Sequence, residues 1–374
     1  MPMRRIHLLL AIAAALATAS PAAAKAPIEI GVQDDWAFMS LGSKRERLAY
    51  KGARGIQARV LRINLIWANA ERRRHGRRVL DWSFYDSMIR RARQRGLEPQ
   101  VTITGPAPRF WTGDHRRGIH RPDPQAFGRF AEATARHYGP RVQRWSVWNE
   151  PNWPSWLSPS AKAASMYRQL YRQAWRAIKR VENDDLVLFG ELAPMGRPEA
   201  AIPPLRFLRR VTCRDREWRA VRDCDPLVTD GFAHHPYTLR WAPEFNGPGP
   251  EDVTTGSLWR LRRALDRLAA DRALVTPDGG APELYLTEYG WHADSRLIRE
   301  PKRSRYAVRG MRIAARAARV RQIVWYQVVE PPRAKVRVWD TALVRRSGRP
   351  RPIFRALRAW VRGAVRDKVV APRR

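Results

Sequence analysis

An α/β fold, a single closed (β/α)8 (TIM) barrel, is what this sequence predicts, and three observations lead there. Short apolar runs rich in β-branched and aromatic residues recur along the chain, and longer amphipathic segments lie between them. No Pro/Gly/Ser linker, internal repeat or low-complexity tract divides the 374 residues in two. Parallel strands cannot be joined by hairpins, so the amphipathic segments read as crossover helices, and eight such units close a barrel. A doubly wound open sheet is the alternative. Its usual Gly-rich phosphate loop is missing, because the turn after the first strand reads Gln33-Asp34-Asp35-Trp36.

In chain order, strands are expected at 28–32 and 60–66. A helix at 82–94 follows, with Asp81 placed to cap its first amides and Gly96 to end it. The third strand, 100–104, leads to a helix at 124–138, and the fourth, 142–148, to a helix at 161–181. Strands at 186–190 and 230–234 precede a helix at 258–273. A strand at 283–287, a helix at 304–318 and an eighth strand at 322–327 complete the set, and a basic amphipathic helix at 352–370 closes the outer ring. Hydrophobic residues make up 44% of the chain and include 16 Trp, ample for one packed core, which excludes wholesale disorder.

Residues 1–24 have the pattern of an export leader. Arg4 and Arg5 form a basic start, Leu8 to Ala19 an apolar stretch too short to span a bilayer, and Ala22-Ala23-Ala24 a small-residue cleavage site. The mature barrel domain is therefore expected from Lys25 onward, in a secreted protein of the cell envelope or exterior, with no later membrane span. The two cysteines, Cys213 and Cys224, share one polar stretch, and a disulfide between them suits an oxidising compartment; two free thiols are the alternative. No second Cys or His pair stands near them at zinc-ligand spacing.

Lys and Arg total 71 against 35 Asp and Glu, a formal charge of 71 − 35 = +36. Most of it fits solvated helix faces, and an anionic polymer is a second candidate partner for such an exterior. No zinc-finger spacing or RNP-type motif points to specific nucleic-acid recognition.

In a (β/α)8 barrel the chemistry gathers at the C-terminal ends of the strands. There the fourth predicted strand ends Trp148-Asn149-Glu150-Pro151-Asn152 and the seventh Thr287-Glu288-Tyr289-Gly290-Trp291. Each delivers a carboxylate to the same face. Glycoside hydrolysis needs two such carboxyls flanking the scissile bond, one to protonate the leaving oxygen and one to meet the developing oxocarbenium charge. Glu150 and Glu288 are the candidate pair.

These segments resemble the clan A glycoside hydrolases, the large retaining (β/α)8 superfamily that includes families 5 and 39. The resemblance implies that Glu150 is the acid/base and Glu288 the nucleophile. It implies a hydrogen bond from Asn149 to the sugar 2-hydroxyl and equates His235-Pro236-Tyr237 with a His-x-Tyr whose tyrosine orients the nucleophile. Arg62 matches the arginine that keeps the nucleophile ionised, and Trp325 the aromatic floor beside the cleaved bond. No metal or organic cofactor is implied. The third strand ends Gly105-Pro106-Ala107-Pro108, without the histidine common in family 5, which leans toward family 39-like relatives. Glu191 and Glu330 also fall near strand ends, which makes a swapped role for one of them an alternative, although neither has a matching motif.

Many of the tryptophans fall at or just beyond predicted strand ends, where their faces suit the apolar C–H faces of sugars. Trp111, Trp153 and Trp156 are the best candidates for a sugar-lined groove. The expected activity is hydrolysis of O-glycosidic bonds in a poly- or oligosaccharide by double displacement. The competing reading is an exported carbohydrate- or polyanion-binding protein on a barrel without turnover. A serine hydrolase lacks its Gly-x-Ser-x-Gly elbow here, and a zinc hydrolase its His-Glu-x-x-His.

Overall fold

The computed structural model describes residues 25–113, 118–197, 200–293, 297–332 and 339–373. The segment 1–24, read above as an export leader, lies outside the described residues. Eight parallel strands form the barrel: β1 (Glu29–Gln33), β2 (Val60–Ile66), β3 (Glu98–Thr104), β4 (Arg144–Val147), β5 (Leu186–Leu192), β6 (Gly231–His234), β7 (Leu284–Tyr289) and β8 (Val320–Tyr326). Their order follows the chain around the ring, and β1 closes it by pairing with both β2 and β8. Every predicted strand is present, with ends displaced by a few residues.

Each strand is followed by a helix, α1 (Lys44–Gly55), α2 (Ser83–Gln94), α3 (Pro124–Tyr138), α4 (Ser160–Val181), α5 (Pro204–Val211), α6 (Leu258–Ala270), α7 (Glu300–Arg316) and α8 (Pro352–Arg366). Local chemistry sets their ends. Asp81 accepts hydrogen bonds from the amide and hydroxyl of Ser83, and Gly96 turns away at φ 66° after α2. Asp123 accepts from the amides of Gln125 and Ala126 with Pro124 in the first turn of α3, and Gly139 ends that helix. α1 and α5 were not predicted: the first carries charge on most of its surface, and the second is only eight residues long. A charged hairpin, Glu71–Arg74 paired with Arg77–Leu80, rises after β2 and was likewise not predicted.

Strand periodicity divides the residues between two environments. On β2, Leu61, Ile63 and Leu65 face the helices while Arg62 and Asn64 face inward; Arg62 is 1% exposed. The barrel interior is therefore polar in layers. Gln322 donates to Gln100 at 2.7 Å, and Thr102 and Ser146 share a hydrogen bond at 2.8 Å. Below them the Tyr285 ring fills the space beside Gly231, where an added Cβ would lie 2.5 Å from the ring.

Cys213 and Cys224 form the expected disulfide. Replacing both with Ser is expected to lower unfolding stability by roughly 2–3 kcal/mol, because the loop-closure entropy of a short loop returns to the unfolded chain; urea denaturation reads the change. Among the described residues no helix is long and apolar enough to cross a membrane.

Candidate active site

The end of β4 turns sharply. Trp148 and Glu150 adopt positive φ (66° and 39°), while the fully buried Trp148 anchors the turn by donating from its indole to the Trp156 carbonyl at 3.0 Å. Asn152 pins the same loop to the β5 side, donating to the carbonyls of Ala193 and Ile202 and accepting from the Ala193 amide. This framework leaves the Glu150 side chain half-buried at the mouth. Opposite, Glu288 faces inward from β7 and is 8% exposed, while its neighbour Tyr289 packs outward against Trp291 and Trp325.

The two carboxylates meet. Oxygens of Glu150 and Glu288 lie within 4.8 Å of each other, and a ring nitrogen of His235 lies within the same distance of both. Arg62 donates to Glu288 Oε1 at 2.7 Å, to Asn149 Oδ1 at 2.8 Å and to Glu191 Oε2 at 2.9 Å; it also bonds Gln33. Tyr237 donates its hydroxyl to Glu288 Oε2 at 3.1 Å. His235 lies 3.0 Å from Glu150 Oε1 through Nδ1 and 2.7 Å from Glu191 Oε2 through Nε2.

Charge pairing overrides burial at His235 and Glu191 and adds to it at Tyr237 and Asp35. Burial alone would lower His235, but Glu288, Glu150 and Glu191 outweigh it and push the imidazole up to about 9, so the ring donates from both nitrogens at neutral pH. Burial alone would raise Glu191; Arg62 and His235 bring it down to about 2. Burial and then the nearby Glu288 hold the Tyr237 phenol well above its usual range, which keeps it a donor. Burial and the repulsion of Glu288 lift Asp35 to about 6.

Above the pair opens a cavity of about 450 Å³. Asp35, Asn64, Asn149 and Tyr326 line it with the two glutamates, and Trp153, Trp156, Arg197 and Trp339 form its rim. The Arg197 guanidinium lies 5.1 Å from the Trp153 ring centroid, and Trp339 packs edge-on against Tyr237 at 5.6 Å.

Glu150, Glu288, Asn149, Arg62, His235, Tyr237 and Trp153 thus come together at the barrel mouth. Two residues do not. Trp325 is fully buried on the outward side of β8, where it packs on Tyr289 and donates to the Thr341 carbonyl; the inward aromatic at the cavity is Tyr326, one residue on. A slip of one residue along a strand reverses the face. Trp111 is held away from the cavity by the charged hairpin: its indole donates to Glu71 at 2.7 Å, with the guanidinium groups of Arg78 and Arg129 each 5.3 Å from its ring. Accordingly, Trp111→Phe is expected to lower the melting temperature, whereas Trp153→Ala, at the cavity rim, leaves it nearly unchanged; thermal unfolding separates the two.

Sequence reasoning missed Asp35, Asn64 and Tyr326 as cavity residues and weighed Glu191 only as a stand-in for one of the two glutamates. Period-two alternation could have found Asn64, which follows Arg62 on the same face of β2. Glu330 is elsewhere, paired with Arg351.

Glu150, His235 and Glu288 converge closely enough for one cation to touch all three. Both nitrogens of His235 are already committed to carboxylates, however, and Arg62 supplies positive charge beside Glu288. The donor set fits an ion-paired acid/base site better than a metal centre.

No protein-family model and no curated protein matches this chain. Solved structures do. A family 39 glycoside hydrolase from the gut symbiont Bacteroides cellulosilyticus WH2 superposes with a TM-score of 0.65 at 18% identity, over 90% of this chain and 64% of that one. A GH39 beta-xylosidase from Caulobacter crescentus gives 0.60 at 17% identity, over 88% and 70%. A GH5_18 protein from Streptomyces cattleya, solved with GlcNAc, gives 0.61 at 15%, over 93% and 82%. This chain therefore spans just under two thirds of the length of the first of them. At these identities the likeness establishes architecture: the chain has the closed (β/α)8 fold that these clan A glycoside hydrolases share.

Proposed function

We propose that this protein is an exported, retaining glycoside hydrolase that cleaves O-glycosidic bonds of an oligo- or polysaccharide by double displacement. The observation that carries the reading is the pair Glu150 and Glu288, with oxygens within 4.8 Å across a cavity rimmed by tryptophan. Retaining enzymes hold their carboxyls about 5–5.5 Å apart, and inverting enzymes, which must fit a water between them, about 6.5–9.5 Å.

In the first step a Glu288 oxygen attacks the anomeric carbon as the bond to the leaving oxygen breaks, and Glu150 gives that oxygen its proton. In the second, Glu150 takes a proton from water, whose oxygen displaces Glu288 and releases the sugar. Arg62 and Tyr237 hold Glu288 aimed, each occupying one of its oxygens. Asn149, held by Arg62, faces the cavity where the sugar 2-hydroxyl would lie. Asp35 adds a third carboxylate to the pocket, which favours a neutral glycosyl unit at the cleavage point even though the exterior would attract an anionic polymer. The β-xylosidase among the structural neighbours makes neutral pentosides a first choice of substrate.

Export is supported by the leader pattern in residues 1–24 and by the Cys213–Cys224 disulfide. Hydrolysis of a panel of aryl glycosides and soluble polysaccharides tests the activity. Turnover that disappears in Glu288→Gln supports it, and sugar binding without turnover in the unaltered protein overturns it.

A further inference from the structure

We propose that Glu191, a carboxylate outside the reacting pair, is the positioning residue that sets the charge and orientation of both halves of the site. Its consequence for turnover rests on the hydrolase reading; its effect on the neighbouring groups does not. Glu191 stands at the irregular end of β5 with φ 51°, and its side chain is fully buried beneath the cavity. A single oxygen, Oε2, accepts from Arg62 Nη2 at 2.9 Å, from His235 Nε2 at 2.7 Å and from Thr287 Oγ1 at 2.7 Å. Its other oxygen is buried without a hydrogen-bond partner among the described residues. The Glu191 backbone carbonyl also accepts the Glu150 amide at 2.9 Å, so the same residue fixes the β4 turn.

From Glu191 the connections run outward symmetrically. One cation, Arg62, continues to Glu288 at 2.7 Å; the other, His235, continues to Glu150 at 3.0 Å. Both cations are buried side by side, and the Glu191 charge is what they share. A neutral group in its place would leave them to repel each other at low dielectric, and His235, the weaker base, would give up its proton first. Nδ1 would then cease to donate to Glu150. That donation matters because it holds Glu150 Oε1 in place and leaves Oε2 to exchange the proton with the leaving oxygen and then with water.

The groups that face His235 are Glu150 from the β4 turn, Glu191 from β5 and Glu288 from β7, the last 3.7 Å from Nδ1. Arg62 lies behind Glu191, and the adjacent His234 is held uncharged at neutral pH by burial, at about 3. All three carboxylates favour the imidazolium, and removing one charge weakens it.

The test is the titration of the His235 imidazole, followed by nitrogen NMR in the unaltered protein and in Glu191→Gln, which keeps shape and loses charge. The midpoint is expected near pH 9 in the unaltered protein. In Glu191→Gln it is expected to fall by roughly one pH unit or more, a tenfold weaker hold on the proton. The alkaline limb of kcat/KM is expected to move by the same amount, with kcat down about 10- to 100-fold and KM within about threefold. Glu191→Asp, which retains the charge, is expected to hold the midpoint near that of the unaltered protein. An unchanged midpoint in a folded Glu191→Gln overturns the proposal. A midpoint at or below the ordinary imidazole value in the unaltered protein overturns it with no variant at all. Should no glycoside be hydrolysed, the hydrolase reading fails, and the titration still decides the role of Glu191.

Discussion

Glu288→Gln is expected to lower kcat on an activated aryl glycoside by at least ~10⁴-fold while KM stays within about threefold. The amide has the size of the carboxylate: its one carbonyl oxygen accepts from Arg62, and its NH2 donates to the Tyr237 hydroxyl once that hydroxyl turns, so the pocket keeps its shape. What it lacks is the anionic oxygen that forms the bond to the anomeric carbon. Arg62 retains its 2.9 Å pairing with Glu191, so the substitution does not strand a buried cation, and the variant is expected to fold. Initial rates, with circular dichroism as the control for folding, check both halves. A residual rate within tenfold of the unaltered enzyme would assign the nucleophile elsewhere.

Glu150→Gln should behave differently, and the difference identifies its role. Loss of a general acid costs about 10²–10⁴-fold where the leaving group needs a proton, and far less where it does not. A glycoside with a poor alcohol leaving group is therefore expected to lose nearly all activity. A dinitrophenyl glycoside should still glycosylate Glu288, giving a burst of phenol followed by slow release, because the same side chain activates water in the second step. Azide, which needs no base, should restore the rate and yield a glycosyl azide. Pre-steady-state absorbance with product analysis reads all of this, and equal losses on both substrates would contradict the assignment.

The barrel was legible because its strands are short runs rich in β-branched and aromatic residues, and the helices between them carry clear end signals at Asp81, Asp123 and Gly139. The hairpin after β2 was not, since Glu71-Arg72-Arg73-Arg74-His75-Gly76-Arg77-Arg78 reads as a solvated charge run. Only His75-Gly76, both at positive φ, signals the turn. Within the site, Glu150 and Glu288 stand in local motifs that a single sequence can show. Glu191 has no motif, and its importance arises from Arg62, His235 and Thr287 arriving from three other strands. Trp325 and Tyr326 were confused for another reason. Both are aromatic, adjacent and apolar in context, and which one faces the cavity depends on the register at the end of β8.

The most direct test of the central claim is the anomeric configuration of the first sugar released, read by proton NMR before mutarotation. With the two carboxylates this close, Glu288 reaches the anomeric carbon directly in the first step, and a product with the configuration of the substrate is expected. Release of the opposite anomer would show that water, and not Glu288, attacks first, and would contradict the claim.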